Sequence, residues 1–183
     1  MLTAPEAVAA ILDFTTEIAL RLGMWLLASG AHGLALGEAT CSPNFISPKM
    51  YRSLVQPRHA WLVGQLKRVG WDVVGLHICG NIVPIVDDII GTGVDFLDVD
   101  YQVPAATALD LSQGRVALRG NLDPSSVFRF GTVQRVRAET AALRQTVDGH
   151  AGWVMSSGCD IPPGTPAENI AAFVEVAAKG RSD

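Results

Sequence analysis

Five short apolar runs alternate along this chain with longer segments of helical periodicity, and this alternation limits the possible folds more than any other feature. The runs are bounded by turn residues, as in GLALG at residues 33–37, which is typical of strands covered on both faces. Strands separated by helices indicate a parallel sheet with right-handed crossovers. Strands are predicted at residues 33–37, 72–77, 94–99, 115–119 and 152–156.

The helical segments have apolar residues at helical spacing. Helices are predicted at residues 5–27, 48–69, 82–90, 104–111, 133–147 and 166–178. Pro5 suits a first helical turn, and Pro57 should kink its segment or mark a join between two helices. The last helix is expected to end at Gly180. The four tryptophans and Met24 are expected in the core.

Residues 18–37 form the most apolar stretch of the chain. Arg21 and His32 interrupt it, and Ser29 and Gly30 punctuate it, so it lacks the long uncharged run of a membrane-spanning helix. We interpret it as a buried helix followed by a buried strand.

The turns after the strands decide between an open sheet and a barrel. A doubly wound nucleotide-binding sheet normally has a glycine fingerprint at its first turn, and GEATCSP has none. Polar and metal-capable residues instead follow the carboxyl ends of several strands, where a TIM barrel has its active site. These residues are Glu38, His77, Cys79, Asp100, Asn121, Asp123 and Cys159. We therefore predict an α/β fold of the TIM (β/α)8-barrel class, with residues 1–183 in one domain.

Charge and cysteine content exclude several classes of function and cellular setting. The formal net charge is −4 and no basic cluster exceeds the pair Lys67 and Arg68, so neither nucleic acid nor a membrane is an expected partner. Three cysteines do not suit a disulfide framework, and the first residues lack the pattern of a signal peptide. A reduced, cytoplasmic protein that acts on small molecules is expected.

His77 and Cys79 lie two residues apart at the end of the second strand, so their side chains point the same way. In a barrel, Cys159 comes to the same mouth and completes an N/S/S set that suits zinc and leaves a fourth position open. Buried cysteines also occur as small hydrophobic residues, and a histidine at a strand end is often only hydrogen-bonded. Spacing alone leaves both interpretations open.

Other polar residues have structural alternatives. Asp98 and Asp100 could share a proton or a cation, cap the next helix, or bind loop amides. Asn121 and Asp123 could be turn and cap residues before Pro124. Three more histidines, His32, His59 and His150, are expected at the surface or in structural roles, and Cys41 is more readily a free thiol than a ligand.

Three segments resemble the uroporphyrinogen decarboxylase superfamily: HICGN, GNLDPSSVFRFGT and SSGCDIPPGTPAENIAAFVEVA. They are most similar to its zinc-dependent branch, the methylcobamide:coenzyme M and related corrinoid-linked methyltransferases. The resemblance implies zinc on His77, Cys79 and Cys159, and a corrinoid carried by a partner protein.

The resemblance also extends to EATCSPNFISP, where it implies that Glu38 faces the metal or the substrate. It makes Glu38 and Asp100 the candidate catalytic residues and Asn81 and Asn121 the candidate substrate-binding residues. True uroporphyrinogen decarboxylases use no metal, and Cys159 stands where they have a histidine.

The family barrel has eight strands, and 183 residues are too few for it, so a partial barrel of about five C-terminal β/α units is expected. The first hypothesis for its function is zinc-dependent methyl transfer between a corrinoid and a thiol or other small acceptor. The second is decarboxylation of a tetrapyrrole. The third is a non-catalytic subunit that assembles with a second copy or with a companion N-terminal chain.

Overall fold

The computed structural model of the protein describes residues 3–179. Five strands form one parallel sheet in the sequential order β1-β2-β3-β4-β5. They are β1 (Gly33–Gly37), β2 (Val73–His77), β3 (Phe96–Asp98), β4 (Ala117–Leu122) and β5 (Trp153–Ser157). Sequential parallel strands with intervening helices are the arrangement of a TIM barrel. The predicted α/β class and the partial barrel are confirmed.

The helices are α1 (Pro5–Ala28), α2 (Pro48–Met50), α3 (Gln56–Val69), α4 (Val86–Ile90), α5 (Ala105–Ser112), α6 (Val133–Val147) and α7 (Ala167–Ala178). Short 3₁₀ turns cover Ala39–Cys41 and Val83–Ile85, and π-helical turns cover Tyr51–Val55 and Pro124–Arg129. Gly70 adopts φ 116° and ends α3, which a residue with a side chain would rarely do. The predicted end of the last helix at Gly180 lies outside the described residues.

A π-helical turn lets the helical segment accommodate Pro57, which lacks a backbone N–H. Tyr51–Val55 joins α2 to α3, so Pro57 falls in the first turn of α3. A proline in the first turn of a helix costs no hydrogen bond, because the N–H that it lacks has no partner there. The predicted join is therefore present, and it moves His59 onto the buried face of α3.

The core lies between the outer face of the sheet and the helices. Its largest fully buried side chains include Leu66 of α3, Leu76 of β2 and Leu97 of β3. A second cluster joins Phe128 to Phe173 of α7, whose ring centroids lie 5.2 Å apart. Helices thus cover one face of the sheet, and the other face carries the candidate site.

The expectation that β1 is covered on both faces is wrong for the described residues. Gly33, Ala35 and Gly37 are exposed, as are Val73 of β2 and Val154 of β5. In a closed barrel the interior is filled by side chains from all strands. Five strands leave this inner face open, so apolar residues there reach solvent.

The expectation that α1 is buried all round is also wrong. An apolar stripe on α1 is exposed, and Trp25, which we expected in the core, is 72% exposed. Met24 is 49% exposed and Trp61 43%, whereas Trp71 is buried. Helix α1 packs against α3 through its other face only. Within residues 3–179, no helix combines the length and the apolar character that a membrane crossing requires.

The boundaries of β4 differ most from the prediction of residues 115–119. Arg115 lies before the strand, where its side chain donates hydrogen bonds to the carbonyls of Ser112 and Leu111. The strand continues to Leu122, because its ladder with β5 pairs Asn121 with Ser156 and Leu122 with Ser157. Asn121 therefore lies within β4 and not in the loop after it, which corrects our expectation.

Candidate functional site

A row of four residues crosses the inner face of the sheet near the carboxyl ends of its strands. Gly37 pairs with His77, His77 with Asp98, and Asp98 with Arg119. Paired residues of parallel strands point to the same face, so three polar side chains stand side by side. A cavity of 320 Å³ lies over this row and is also lined by Ser157 and Cys159.

His77, Cys79 and Cys159 come together at one edge of this cavity. The His77 Nε2 atom lies 3.2 Å from the Cys79 Sγ atom, and the two Sγ atoms of Cys79 and Cys159 lie 4.0 Å apart. One ligand atom from each residue falls within 4.8 Å of the other two. Two sulfurs at about 2.3 Å from a tetrahedral zinc would lie roughly 3.8 Å apart, so the spacing suits an ion.

Two glycines allow the loops to meet in this way. A Cβ atom on Gly158 would lie 2.4 Å from the backbone nitrogen of Tyr101, so only glycine lets the Cys159 loop approach the loop after β3 so closely. Gly80 adopts φ 86°, and a Cβ atom there would lie 2.6 Å from the Asn44 side chain. Each glycine adjoins one of the cysteines.

The thiols of the cluster influence one another. Burial raises the pKa of Cys79 to about 11, with further contributions from the neighbouring Cys159 and from Asp100. In the absence of a cation the Cys79 thiol therefore keeps its proton at neutral pH. A bound metal ion would supply the positive charge that favours the thiolate, which is the form that ligates metals.

The two candidate carboxylates on β3 and its loop have separate partners. Asp98 forms an ion pair with Arg119, whose guanidinium also stacks over the Phe96 ring at 4.9 Å. Asp100 is 3% exposed, and its Oδ1 accepts a hydrogen bond of 2.8 Å from the backbone of Gln102. The alternative in which Asp98 and Asp100 share a proton or cation is therefore not supported. Asp100 binds a loop amide, as one alternative predicted, and it does not cap α5, which has no side-chain cap.

The amide residues make backbone contacts. The Asn121 side chain donates to the carbonyls of Asp100 and Val103, and Asn81 accepts from the backbone of Val83 over 3.1 Å. Asn121 thereby fixes the loop that contains Asp100.

Asp123 caps the helical turn that starts at Pro124, as one alternative predicted. Its carboxylate accepts from the backbone N–H groups of Ser125 and Ser126, and these bonds outweigh its burial and lower the pKa of Asp123. Asp123 is thus a structural residue rather than part of the cluster.

Glu38 follows β1 at the same mouth, and its backbone N–H donates to the His77 carbonyl over 2.8 Å. Its carboxylate forms a second group with Cys41 and His59, again with ligand atoms within 4.8 Å of one another. His59 is 5% exposed, whereas His32 and His150 are exposed as expected. Sequence analysis gave His59 no part in a site, although its helical register on the buried face of α3 was a usable signal.

Arg119 and Ser157 are the other residues that sequence analysis did not assign to the site. Arg119 ends a predicted apolar strand with a charge, which is unusual for a barrel interior and was a usable signal. Ser157 donates to the Cys159 carbonyl over 2.7 Å and holds its loop, and no pattern in the sequence pointed to that bond.

Comparison with known proteins gives matches over nearly the whole chain. A family model described as uroporphyrinogen decarboxylase matches residues 1–180. The methylcobamide:CoM methyltransferase MtbA of Methanosarcina acetivorans is 30% identical over 177 residues, which are 97% of this chain and 50% of that protein. The uroporphyrinogen decarboxylase of Pelobacter propionicus is 28% identical over 180 residues, which are 96% of this chain and 50% of that protein.

A solved structure is also similar to this chain. A methyltransferase from Methanosarcina mazei superimposes with a TM-score of 0.81 and 28% sequence identity, over 90% of this chain and 47% of that one. The chain thus spans about half the length of the curated relatives that it matches.

Proposed function

The chain belongs to the uroporphyrinogen decarboxylase family, and from this membership we propose that it takes part in zinc-dependent methyl transfer between a corrinoid and a thiol or another small acceptor. The observation that carries the proposal is the cluster of His77, Cys79 and Cys159 at the mouth of the partial barrel. Similarity to methylcobamide:CoM methyltransferases supports the choice of methyl transfer within the family.

The donor set fits zinc better than other common ions. One imidazole nitrogen and two sulfurs are soft to intermediate ligands, which select zinc over magnesium or calcium. Three protein ligands leave one position for a substrate atom, as in catalytic zinc sites. The cavity of 320 Å³ beside His77 and Cys159 gives such an atom a way in.

A zinc ion held by His77, Cys79 and Cys159 would supply a Lewis-acid position that favours the thiolate form of an acceptor thiol. Cys79 and Cys159 as thiolates, with neutral His77, offset the charge of the dication. The acceptor sulfur would then keep enough electron density to attack the methyl group of the corrinoid, whose carbon–cobalt bond would break and leave its electron pair on cobalt. The hydrogen bond from Ser157 to the Cys159 carbonyl orients this part of the ligand set.

We assign the remaining residues by their position at the same mouth. The Glu38 side chain is 43% exposed and can take the acceptor's proton or position it. Asp100 is buried behind Cys79, so its negative charge would act at short range on the ligand set. Asn81 and Asn121 are proposed to contact the substrate, with Asn121 also holding the Asp100 loop.

A partner protein that carries the corrinoid is part of this proposal. MtbA and MtaA, to which the chain is similar, are named for a methylcobamide substrate and coenzyme M. A further similar protein, from Methanosarcina mazei, is named for a methylated thiol and coenzyme M. Coenzyme M is a thiol and is common to these names, so we propose a thiol acceptor for this chain.

Tetrapyrrole decarboxylation is the second candidate, because relatives such as the protein of Pelobacter propionicus bear that name. A substrate with several carboxylates needs free cationic side chains in the cavity. Among the residues that the structure describes, Arg119 is the arginine that lines it, and that residue is already paired with Asp98. Methyl transfer is therefore the better supported reaction.

Metal analysis of purified protein and its Cys159→Ser variant tests the proposal. We expect the variant to lose one equivalent of zinc relative to the parent chain and to lose methyl transfer from methylcobalamin to a thiol. His150→Gln, which changes an exposed histidine, is the matched control and should lose neither. Equal zinc content in the parent and Cys159→Ser chains would contradict the zinc site.

A further inference from the structure

Glu38, Cys41 and His59 form a second group of ligand-capable side chains next to the first. They come from two elements, since Glu38 precedes the 3₁₀ turn after β1, Cys41 is the last residue of that turn, and His59 lies on α3. A carboxylate oxygen, a thiol sulfur and a ring nitrogen fall within 4.8 Å of one another. Methyl transfer as proposed above uses Glu38 alone of these three, which leaves the buried cysteine and histidine without a role.

The spacing within this group leaves room for an ion. His59 Nε2 and Glu38 Oε1 lie 3.9 Å apart, which is too far for a hydrogen bond. A tetrahedral zinc with bonds of about 2.0–2.1 Å to nitrogen and oxygen would hold these atoms roughly 3.3 Å apart. A shift of about 0.6 Å in the partly exposed Glu38 side chain would close this gap.

The other ring nitrogen of His59 has a hydrogen-bond partner, as the second nitrogen of a metal-binding histidine usually does. His59 Nδ1 lies 3.2 Å from the hydroxyl of Tyr51, which is fully buried. With the proton on Nδ1, the histidine donates to Tyr51 and presents a free lone pair at Nε2. A hydrogen bond to the nitrogen that does not bind the metal fixes the orientation and the tautomer of the ring.

The environment of Cys41 argues against a free reactive thiol. Cys41 is 4% exposed, and its thiol donates to the Glu38 carbonyl over 3.2 Å. Burial, followed by the charge of Glu38, raises the pKa of Cys41 to about 12, so an unassisted thiolate does not form near neutral pH. A cation bound between Cys41 and Glu38 would remove both penalties.

We propose that Glu38, Cys41 and His59 form a second site for a divalent transition-metal ion, with zinc as the ion that this N/S/O set suits best. Binding replaces the Cys41 S–H bond with a sulfur–metal bond, and the proton leaves to solvent. The site adjoins the first one through the hydrogen bond from Glu38 to the His77 carbonyl. Each carboxylate has two oxygens, so a bond from one of them leaves the other for substrate.

Titration of metal-free protein with Co²⁺ tests this site. The parent chain should bind two equivalents, and Cys41→Ser and Cys159→Ser should each bind one. The thiolate-to-cobalt absorption identifies which site is lost, because the second site has one sulfur and the first has two. Cys41→Ser should therefore keep the stronger part of the band, and Cys159→Ser should lose it.

Tyr51→Phe keeps the buried ring and serves as a second variant, should Cys41→Ser fold poorly. Loss of the hydroxyl should weaken cobalt binding at the second site by about 10- to 100-fold and leave the first site unchanged. A single equivalent in the parent chain that Cys159→Ser loses and Cys41→Ser keeps, or two equivalents with unchanged affinity in Cys41→Ser or Tyr51→Phe, overturns the second site. Neither result depends on methyl transfer, which Cys159→Ser examines separately.

Discussion

The backbone N–H of Glu38 donates to the carbonyl oxygen of His77 over 2.8 Å, and this single bond joins the two groups of candidate ligands. The pairing continues the register in which Gly37 faces His77 at the ends of β1 and β2. One strand pair therefore fixes the distance between the Cys79 and Cys41 loops. A substitution in either loop should therefore alter metal binding mainly at that loop's own group of ligands, because the paired strand ends keep the other loop in place.

Replacing Gly158 by alanine should weaken metal binding by displacing the Cys159 loop. The added Cβ atom would lie 2.4 Å from the Tyr101 backbone nitrogen, so the loop must move. We expect a cost of about 1–3 kcal/mol in unfolding free energy, typical of overpacking. Isothermal titration with zinc measures the affinity, and denaturant unfolding measures the stability.

Gly64→Ala is the matched control for that substitution. Gly64 lies within α3, and a Cβ atom there meets nothing within 4 Å. Alanine should stabilise the helix by about 0.5–1 kcal/mol and leave zinc affinity unchanged. Equal zinc affinity in Gly158→Ala and Gly64→Ala would contradict the role given to Gly158.

Metal-free protein should become less stable as the pH rises above about 9. Burial raises the pKa of Cys41 from 9.0 to about 12 and of Cys79 from 9.0 to about 11, so the folded state keeps protons that the unfolded state releases. Each retained proton lowers the unfolding free energy by at most about 1.4 kcal/mol per pH unit, and by less for the more exposed Cys79. The loss should be complete near pH 12.

Denaturant unfolding in the presence of a chelator, at several pH values from 8 to 10, checks this dependence. Burial also raises the pKa of Tyr51, which acts in the same direction, so the comparison is made between the parent chain and Cys41→Ala. The variant should show a shallower decline. Parallel curves for the two proteins would be evidence against a protonated, buried Cys41.

Phe128→Ala should cost about 3–5 kcal/mol of unfolding free energy, because Phe128 is fully buried and packs edge-on against Phe173. Phe130→Ala provides the control. Phe130 is 76% exposed, so its replacement should change stability by at most about 0.5 kcal/mol. Denaturant midpoints for the two variants test the difference. Similar midpoints would mean that Phe128 does not pack in the second core cluster.

The sequence predicted what depends on local periodicity and missed what depends on neighbours in space. Apolar runs located the five strands to within a few residues, since burial on the helix side dictates their composition. The His77 and Cys79 spacing placed both side chains at one mouth. The extension of β4 to Leu122 could not be read from residues 115–122, because its pairing with β5 sets that end.

His59 and Trp25 are two residues whose surroundings could not be predicted from local sequence. His59 shares the buried face of α3 with Leu62 and Val63, three and four residues along, which the sequence does show. Its approach to Glu38 and Cys41 depends on the loop after β1, and no local pattern shows that contact. Trp25 was expected in the core because large apolar residues usually are, but burial depends on which face of α1 finds a partner. Composition states that a residue can be buried, and topology decides whether it is.

The exposed face of α1 leads to the last prediction, that the protein does not remain a monomer in solution. Its stripe has a spacing of three and four residues, as in the contact seam of paired helices. The stripe consists of Ile11, Phe14, Ile18, Leu22 and Trp25, with exposures of 61%, 68%, 48%, 51% and 72%. Val73 and Val154 on the open inner face of the sheet add exposed apolar surface.

Light scattering coupled to size exclusion at micromolar concentration measures the assembly, with a dimer or larger species expected for the parent chain. The double substitution of Phe14 and Trp25 by glutamate should shift the mass toward that of one chain, because two charges in an apolar seam would each lose hydration on contact. Gln145→Glu on α6 adds a charge at an exposed position and should leave the mass unchanged. A monomeric parent chain would mean that this stripe is not an association surface, and association that survives both glutamates would place the contact on the open face of the sheet instead.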